Sequence, residues 1–331
     1  MNRFAAWTMG EPIDDRQGRY RIFYGKAPRS CAVDAIWFTE LCIQDADDPP
    51  LAGGGARARW DEFVAEHDAW LRTMSGRRVH GWGKAGNGRW AVDLSRQLPW
   101  DEVVRECERM ALNNGAYGLH LDDLSLRPFW TSVHPVYDPA LYAAHVIGIA
   151  RALESPDVSG SGWKAYNSTP TLRQSLSVIK MEGFRFWPRF GGGWSGSNGA
   201  RFTWDTWWSG DIGLFGLRDL ELEGLTPVIE AQYGAKWSQE RIDAYALMAV
   251  ATACLSDHAH LAFHEEKVWT TPVWTTAHEK AVHLGVAGGS AEITVEGVWK
   301  REYANGRVVV NPTSTPFGNC AAHSAQIVVN A

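Results

Sequence analysis

Short β-rich runs and helical stretches alternate along most of this chain, and this alternation constrains its fold more than any other feature. A repeated strand–helix order predicts a parallel α/β sheet. With about seven or eight such strands, a closed barrel is favoured over an open sheet. We therefore predict a TIM-type (β/α) barrel.

Local signals set the predicted elements. A helix over residues 99–115 begins near a proline, carries acids in its first turn and ends at an Asn-Gly pair. Residues 45–59 are rich in turn formers and predict a surface loop. The other predicted helices are 60–74, 139–155 and 239–257, and the predicted strands are 21–25, 35–43, 89–95, 117–126, 162–169, 176–186, 225–234 and 258–266.

The character of the sequence changes after residue 290. The segment becomes β-rich, and Asn305-Gly306 predicts a hairpin turn within it. We therefore expect two domains: a barrel over residues 1–289, with an atypical N-terminal part, and a small antiparallel β appendage over 290–331 that packs on the barrel.

Charge and composition exclude several function classes. The net charge is -6, and no basic stretch runs along the chain, so neither nucleic acid nor an anionic membrane surface is an expected partner. The five cysteines form no C-x-x-C pair and are expected to be buried thiols. No signal-peptide pattern or membrane-spanning run is present. We expect a soluble protein, secreted if a signal has been removed and otherwise cytoplasmic, with its oligomeric state undetermined.

Two segments carry a resemblance to a known family. The run WAVDLSRQLPWDEVVRECERMALNNGAYGLHLDDLSL has a strand ending in VDL, a helix, and a second strand that ends in an acid. The tail GVWKREYANGRVVVNPT follows the pattern R-E-[FY]-x-N-G-x-V-x-V-N-P-T, and KMEGF, WPR and VIEAQYG lie in order between the two. Over residues 60–315 the chain resembles TIM-barrel glycoside hydrolase-like proteins. The resemblance implies a barrel fold and glycosidase activity.

Acids at predicted strand ends are the candidate catalytic groups, because active sites of TIM barrels lie at the carboxyl ends of the strands. Asp122 and Asp123 close the strand 117–126, and alternation along a strand sends only one of them inward. The family pattern implies Asp122, with His120 on the same side. The alternative is that both acids merely solvate the strand end.

Glu182 follows another apolar strand and precedes a glycine. Glycoside hydrolysis needs two carboxyl groups, one to protonate the leaving oxygen and one to attack or to activate water. The resemblance supports Glu182 as the partner of Asp122, and Glu230 is a third candidate that could serve as the proton donor. A surface Glu182 and a structural ion pair at Glu230 remain open alternatives.

Further polar residues are candidates for binding substrate. Asp93 follows a predicted strand and could bind a sugar hydroxyl or cap the next helix. Asn167 could hydrogen-bond a hydroxyl or form an Asx-turn. His258 and His260 favour a structural pair over a metal site, because they begin their strand. His264 lies at the opposite end of that strand, where a substrate could reach it.

Tryptophan is unusually frequent, with 18 in the chain. Several of them crowd a glycine-rich stretch after Glu182, and indole faces stack well on sugar rings. We predict that this stretch overhangs the catalytic pocket and binds glycan, although a loop with its own small core is the alternative. The tryptophans proposed to bind substrate are Trp194, Trp204, Trp207 and Trp208.

The sequence therefore predicts a glycoside hydrolase of polysaccharides or oligosaccharides that uses two carboxylates and needs no metal or other cofactor. The alternative from another class is a non-catalytic carbohydrate-binding barrel. A metal-dependent hydrolase that uses the histidines is a third alternative.

Overall fold

The computed structural model describes residues 6–8, 20–23, 34–40, 42–44, 56–80, 89–113, 118–122, 126, 128, 135–154, 159–161, 178–181, 221–265 and 273–330. In these residues the chain has an α/β structure, as predicted. It divides into two compact units. We call residues 9–12 and 21–180 the N-terminal unit, and residues 1–8, 13–20 and 181–331 the C-terminal unit. The predicted domains at 1–289 and 290–331 stay a prediction.

The described residues of the N-terminal unit form parallel strands and three helices. Its elements are β2 (Tyr20–Phe23), β3 (Asp34–Glu40), β4 (Cys42–Gln44), α1 (Ala56–Glu66), β5 (Arg72–Thr73), β6 (Arg89–Ala91), α2 (Trp100–Asn113), β7 (Gly118–Asp122), β8 (Pro135–Val136), α3 (Pro139–Ala152), β9 (Ser159–Ser161) and most of β10 (Val178–Met181). Strand β7 pairs in parallel with β3 and with β9, and β9 pairs in parallel with β10.

The three helices of this unit pack in sequence, with α2 against both α1 and α3. The apolar face of α2 buries Trp100, whose ring lies 5.7 Å from that of Trp60 and 5.5 Å from that of Phe63. Burying a large side chain contributes roughly 1.5–3 kcal/mol. Helix α3 begins as predicted, because Asp138 accepts hydrogen bonds from the second and third backbone N–H groups of the helix.

Two local predictions for this unit are wrong. The helix expected over 60–74 spans Ala56–Glu66, so it begins inside the predicted loop and ends early, where Asp68 adopts a φ of 49° and turns the chain. The strand expected over 89–95 is only Arg89–Ala91, and it pairs antiparallel with β4 rather than joining the parallel strands.

The C-terminal unit combines a parallel pair with an antiparallel sheet. Its elements are β1 (Ala6–Thr8), β11 (Thr226–Tyr233), α4 (Gln239–Leu255), β12 (His260–Glu265), α5 (Thr276–His283), β13 (Glu292–Ile293), β14 (Trp299–Tyr303), β15 (Gly306–Asn311) and β16 (Ser324–Val329). Strands β11 and β12 are parallel, and β13–β16 form an antiparallel sheet in sequence order, as predicted for the segment after residue 290.

Helix α4 lies between these two sheets. It contacts β11 and β12 on one side and β14, β15 and β16 on the other. Ten of its residues are therefore buried, and they run almost without interruption from Tyr245 to Leu255. A helix that is apolar all round is stable only when both sides are covered, which explains why the antiparallel sheet is needed.

The hairpin between β14 and β15 differs by one residue from the prediction. Tyr303 pairs with Gly306, so the turn is Ala304-Asn305 and the glycine is the first residue of β15. A Cβ atom at Gly306 would collide with the carbonyl oxygen of Val328. The glycine is thus required by the close approach of β16 rather than by the turn itself.

Candidate functional site

Asp122 is the last residue of β7, the position that the sequence predicts for a catalytic acid. The parallel pairing with β3 aligns it with Glu40, which is the last residue of that strand. His120 aligns with Phe38 on one side and with Ser159 on the other. Two acids thus end neighbouring parallel strands at the same register. Sequence reasoning missed Glu40, because the apolar residues that follow it, 41–43, concealed the end of β3.

In the C-terminal unit, the candidate acid Glu230 lies within β11, before the strand ends at Tyr233. Glu230 pairs with Ala262, and two residues further along the strands Gln232 pairs with His264. The residue before His264 in β12 is Phe263, and its ring centroid lies 5.8 Å from that of Tyr245 on α4. Since neighbouring residues of a strand alternate between faces, His264 belongs to the face of β12 that is turned away from α4.

His264 is buried, with 2% of its surface exposed. Its Nδ1 lies 2.9 Å from the carbonyl oxygen of Glu265. A carbonyl only accepts, so Nδ1 carries a proton and donates it to this bond. The ring orientation is thereby fixed, as expected for a side chain that positions a ligand or a neighbouring group. Its predicted role in substrate binding stays a prediction.

Aromatic side chains connect the carboxyl ends of these two strands to α4 and α5. Tyr233 ends β11, and burial together with the charge of Glu265 raises the pKa of its hydroxyl. Trp274 precedes α5 and stacks on His278, with ring centroids 5.0 Å apart. Burial lowers the pKa of His278 to about 4, so this imidazole is neutral at physiological pH. The sequence analysis singled out none of these three residues.

Asp93 lies in the connection between β6 and α2. Its Oδ1 accepts hydrogen bonds from the backbone N–H of Ser95 at 3.1 Å and from the Ser95 hydroxyl at 2.6 Å. This is the geometry of an Asx-turn, in which the carboxylate orders its own loop. The structure thus gives Asp93 a local role, and its proposed contact with a sugar hydroxyl remains a prediction.

Hydrogen bonds between buried groups lie near the amino ends of β11 and β12. Arg301 of β14 is 3% exposed and donates to the carbonyl oxygens of the last turn of α4, including that of Ser256 at 2.5 Å. It also pairs with Asp257. A cation is favourable at a helix C-terminus, where carbonyl groups lack partners within the helix. Arg301, the first residue of the R-E-Y motif, therefore stabilises the fold.

The histidines at this end show no metal-binding arrangement. The backbone N–H of His258 donates to Glu221 Oε1 at 2.9 Å, next to Ser256. No group of three or more His, Cys, Asp or Glu residues suited to a metal occurs in the described part of the chain. In that same part, no helix is long and apolar enough to cross a membrane.

Several predicted site residues lie outside the described residues. They are Glu182, Asp123, Asn167, Trp194, Trp204, Trp207 and Trp208. Among the described residues of the C-terminal unit, a cavity of about 500 Å³ lies between α4 and residues 321–325. It contains none of the predicted site residues.

Comparison with known proteins gives a fold but no family. Neither protein families nor curated proteins yield a match to this sequence. Among solved structures, the glycoside hydrolase domain of PelA from Pseudomonas aeruginosa is similar, with a TM-score of 0.52 and 14% identity over 82% of this chain and 97% of that domain. A variant of the same domain gives a TM-score of 0.50 at 14% identity, with the same coverage.

A third similar structure is a maltogenic α-amylase from Thermotoga neapolitana, with a TM-score of 0.49 and 8% identity over 94% of this chain and 86% of that one. This score is too low to carry an argument. The likeness to the PelA domain establishes that the chain has a glycoside hydrolase-like α/β fold. At such low identity, activity does not follow from the fold.

Proposed function

We propose that this protein is a glycoside hydrolase of polysaccharides or oligosaccharides, built on a TIM-type barrel. The observation that carries the proposal is the position of Asp122 as the final residue of a parallel strand. In this fold class, catalytic residues come from the carboxyl ends of different strands. The likeness to the PelA glycoside hydrolase domain supports the same fold class.

The closed barrel is part of this proposal. Within the C-terminal unit, β1 lies beside β12. These two strands come from opposite ends of residues 1–289, the predicted barrel region, and their contact supports closure. Parallel pairs in each unit, β3 with β7 and β11 with β12, agree with the same architecture.

In the proposed reaction, Asp122 acts as the nucleophile or as the base that activates water, and Glu182 protonates the leaving glycosidic oxygen. Glu230 is the alternative proton donor, and its place in β11, two residues before the Gln232 that pairs with the buried His264, supports keeping it as a candidate. His120 and His264 are proposed to bind sugar hydroxyls. The tryptophan-rich segment is proposed to stack on the glycan.

The experiment measures the release of reducing ends from soluble oligosaccharides and polysaccharides by the wild type and by two single variants, Glu182→Gln and Glu230→Gln. Loss of the proton donor lowers the rate by about 10²–10⁴-fold, because general acid catalysis contributes that much. We expect this loss for Glu182→Gln and a much smaller change for Glu230→Gln. A larger loss of rate for Glu230→Gln than for Glu182→Gln would make Glu230 the proton donor.

Glu62→Gln is the matched control, because Glu62 is an exposed acid on α1. It should leave the rate unchanged. A wild-type protein that binds these glycans but releases no reducing ends would favour the non-catalytic carbohydrate-binding protein instead.

A further inference from the structure

Two tryptophans of the C-terminal unit occupy equivalent positions after the last two parallel strands. Trp237 follows β11 and precedes Ser238, the N-cap of α4. Trp274 follows β12 and precedes Thr275, the N-cap of α5. Both side chains are half-buried. Since each helix begins where the preceding strand has ended, both indoles lie at the carboxyl end of the β11–β12 pair.

Trp274 is held in one orientation. Its ring stacks on His278 at an interplanar angle of 30°, and its Nε1 donates to Glu279 Oε1 at 2.5 Å. The backbone N–H of Val273 donates to the carbonyl oxygen of Phe263 at 3.0 Å, which ties the segment to β12. The indole keeps part of its surface in solvent while its rotamer is fixed.

Trp237 is held by comparable contacts. The guanidinium of Arg241 lies 4.0 Å from its ring centroid, and the ring of Tyr245 packs edge-on at 5.3 Å. A side chain that is already ordered loses little conformational entropy when a ligand covers it. Both indoles therefore meet the main energetic requirement of a binding platform.

Buried rings connect the two tryptophans into one rigid row. Tyr245 contacts Phe263 with ring centroids 5.8 Å apart, and Phe263 contacts His278 at the same distance. The row thus runs from Trp237 through three buried rings to Trp274. Only its two ends reach solvent among these five rings.

A purely structural explanation would be the hydrophobic staple, in which the residue before an N-cap packs on an apolar residue in the first turn. In the first turns of the helices, the side chains that contact these two indoles include polar ones: Arg241 for Trp237, and His278 and Glu279 for Trp274. A staple does not require an indole against such partners, whereas sugar recognition uses an apolar ring face beside polar groups.

We propose that Trp237 and Trp274 form a platform on which two parts of a glycan chain stack their pyranose rings. The ligand class rests on the proposed function, and the platform adds a binding surface distinct from the tryptophan-rich segment near residues 187–208. Arg241 and Glu279 lie at its edges, where they can hydrogen-bond sugar hydroxyls.

The test is calorimetric titration of the full chain with maltohexaose, cellohexaose and chitohexaose. We expect at least one to bind, and Trp274→Ala and Trp237→Ala each to weaken its binding by about three- to tenfold, since one stacking contact contributes about that much. Trp274→Phe and Trp237→Phe should recover most of the affinity, because a flat aromatic face is retained.

Trp90→Ala is the matched control. Trp90 is half-buried and stacks on His80 at 4.2 Å, but it belongs to the antiparallel strand β6. Its loss should leave affinity unchanged. Three outcomes overturn the platform: no hexasaccharide binds the wild type, both Ala variants bind as tightly as the wild type, or Trp90→Ala weakens binding equally.

Measuring binding separately from turnover keeps this inference distinct from the proposed function. Tryptophan-dependent binding without any release of reducing ends would contradict the hydrolase and leave the platform standing. Hydrolysis that does not depend on either tryptophan would contradict the platform alone.

Discussion

The two ends of the β11–α4–β12 layer use their polar residues in different ways. At the amino end of the strands, Arg301 and Ser256 are buried and bonded to backbone groups that need partners. At the carboxyl end, Trp237 and Trp274 remain half-buried, and Glu265 lies next to a tyrosine whose pKa burial raises. The amino end stabilises the fold, and the carboxyl end leaves two indoles partly in solvent. In TIM barrels the carboxyl ends of the strands form the active site, and the opposite ends serve stability.

Replacing Arg301 should have the largest effect on stability. Arg301→Met leaves the final carbonyl groups of α4 and the carboxylate of Asp257 without their buried donor. Unsatisfied buried groups cost about 1–3 kcal/mol each, so we expect a loss of about 3 kcal/mol in the free energy of unfolding. Chemical denaturation followed by circular dichroism measures it.

Lys300→Met is the control for this change. Lys300 lies on the same strand and forms only a surface ion pair with Glu292, at 3.5 Å. Such pairs contribute about 0–1 kcal/mol. Equal losses from the two variants would contradict a stabilising role that is specific to the buried guanidinium.

Acid should destabilise the carboxyl end through His278. Its pKa is lowered from 6.5 to about 4 by burial, so between these values the unfolded chain binds a proton that the folded chain does not. Stability from this group is complete above pH 6.5 and falls as the pH drops toward 4, by roughly 3 kcal/mol in total. Unfolding measured from pH 7 to pH 4 should show this slope.

His278→Gln tests the assignment, because glutamine at this position can accept from the N-cap N–H as in a standard capping box but does not titrate. The variant should lose most of the dependence between pH 6.5 and pH 4. If the free energy of unfolding of this variant depends on pH as steeply as that of the wild type, other groups cause the acid sensitivity.

Ser256→Ala should have a smaller effect at the amino end. The Ser256 hydroxyl accepts from the backbone N–H of Ala259 at 2.7 Å and bonds Glu221. Losing a buried partner of this kind costs about 2 kcal/mol. Thermal unfolding measures the difference against Ser290→Ala, since Ser290 is exposed and its loss should be neutral. If Ser256→Ala does not lower thermal stability, the difference in function between the amino and carboxyl ends of the strands is weakened.

The sequence predicted the elements that carry strong local signals. Helices α2, α3 and α4 were found within a few residues, because prolines and cap residues mark their starts. The register of the hairpin at Gly306 was not predictable, because the requirement for glycine comes from Val328 on a strand more than twenty residues later. The early end of α1 likewise depends on a backbone turn at Asp68 that composition does not reveal.

The candidate site was predicted only in part for similar reasons. Asp122 follows a run that is apolar except for His120, so its position at a strand end was visible. Glu40 is followed by further apolar residues, and its alignment with Asp122 depends on pairing between strands that are distant in sequence. Trp237 and Trp274 were indistinguishable from core residues among 18 tryptophans until their exposure was known.

The most direct test of the central claim is the turnover of Asp122→Asn. If the carboxyl ends of the strands serve chemistry, this variant should release reducing ends about 10²–10⁴-fold more slowly than the wild type, with glycan affinity and unfolding free energy within error of the wild type. An Asp122→Asn protein that hydrolyses glycan at the wild-type rate would contradict the account.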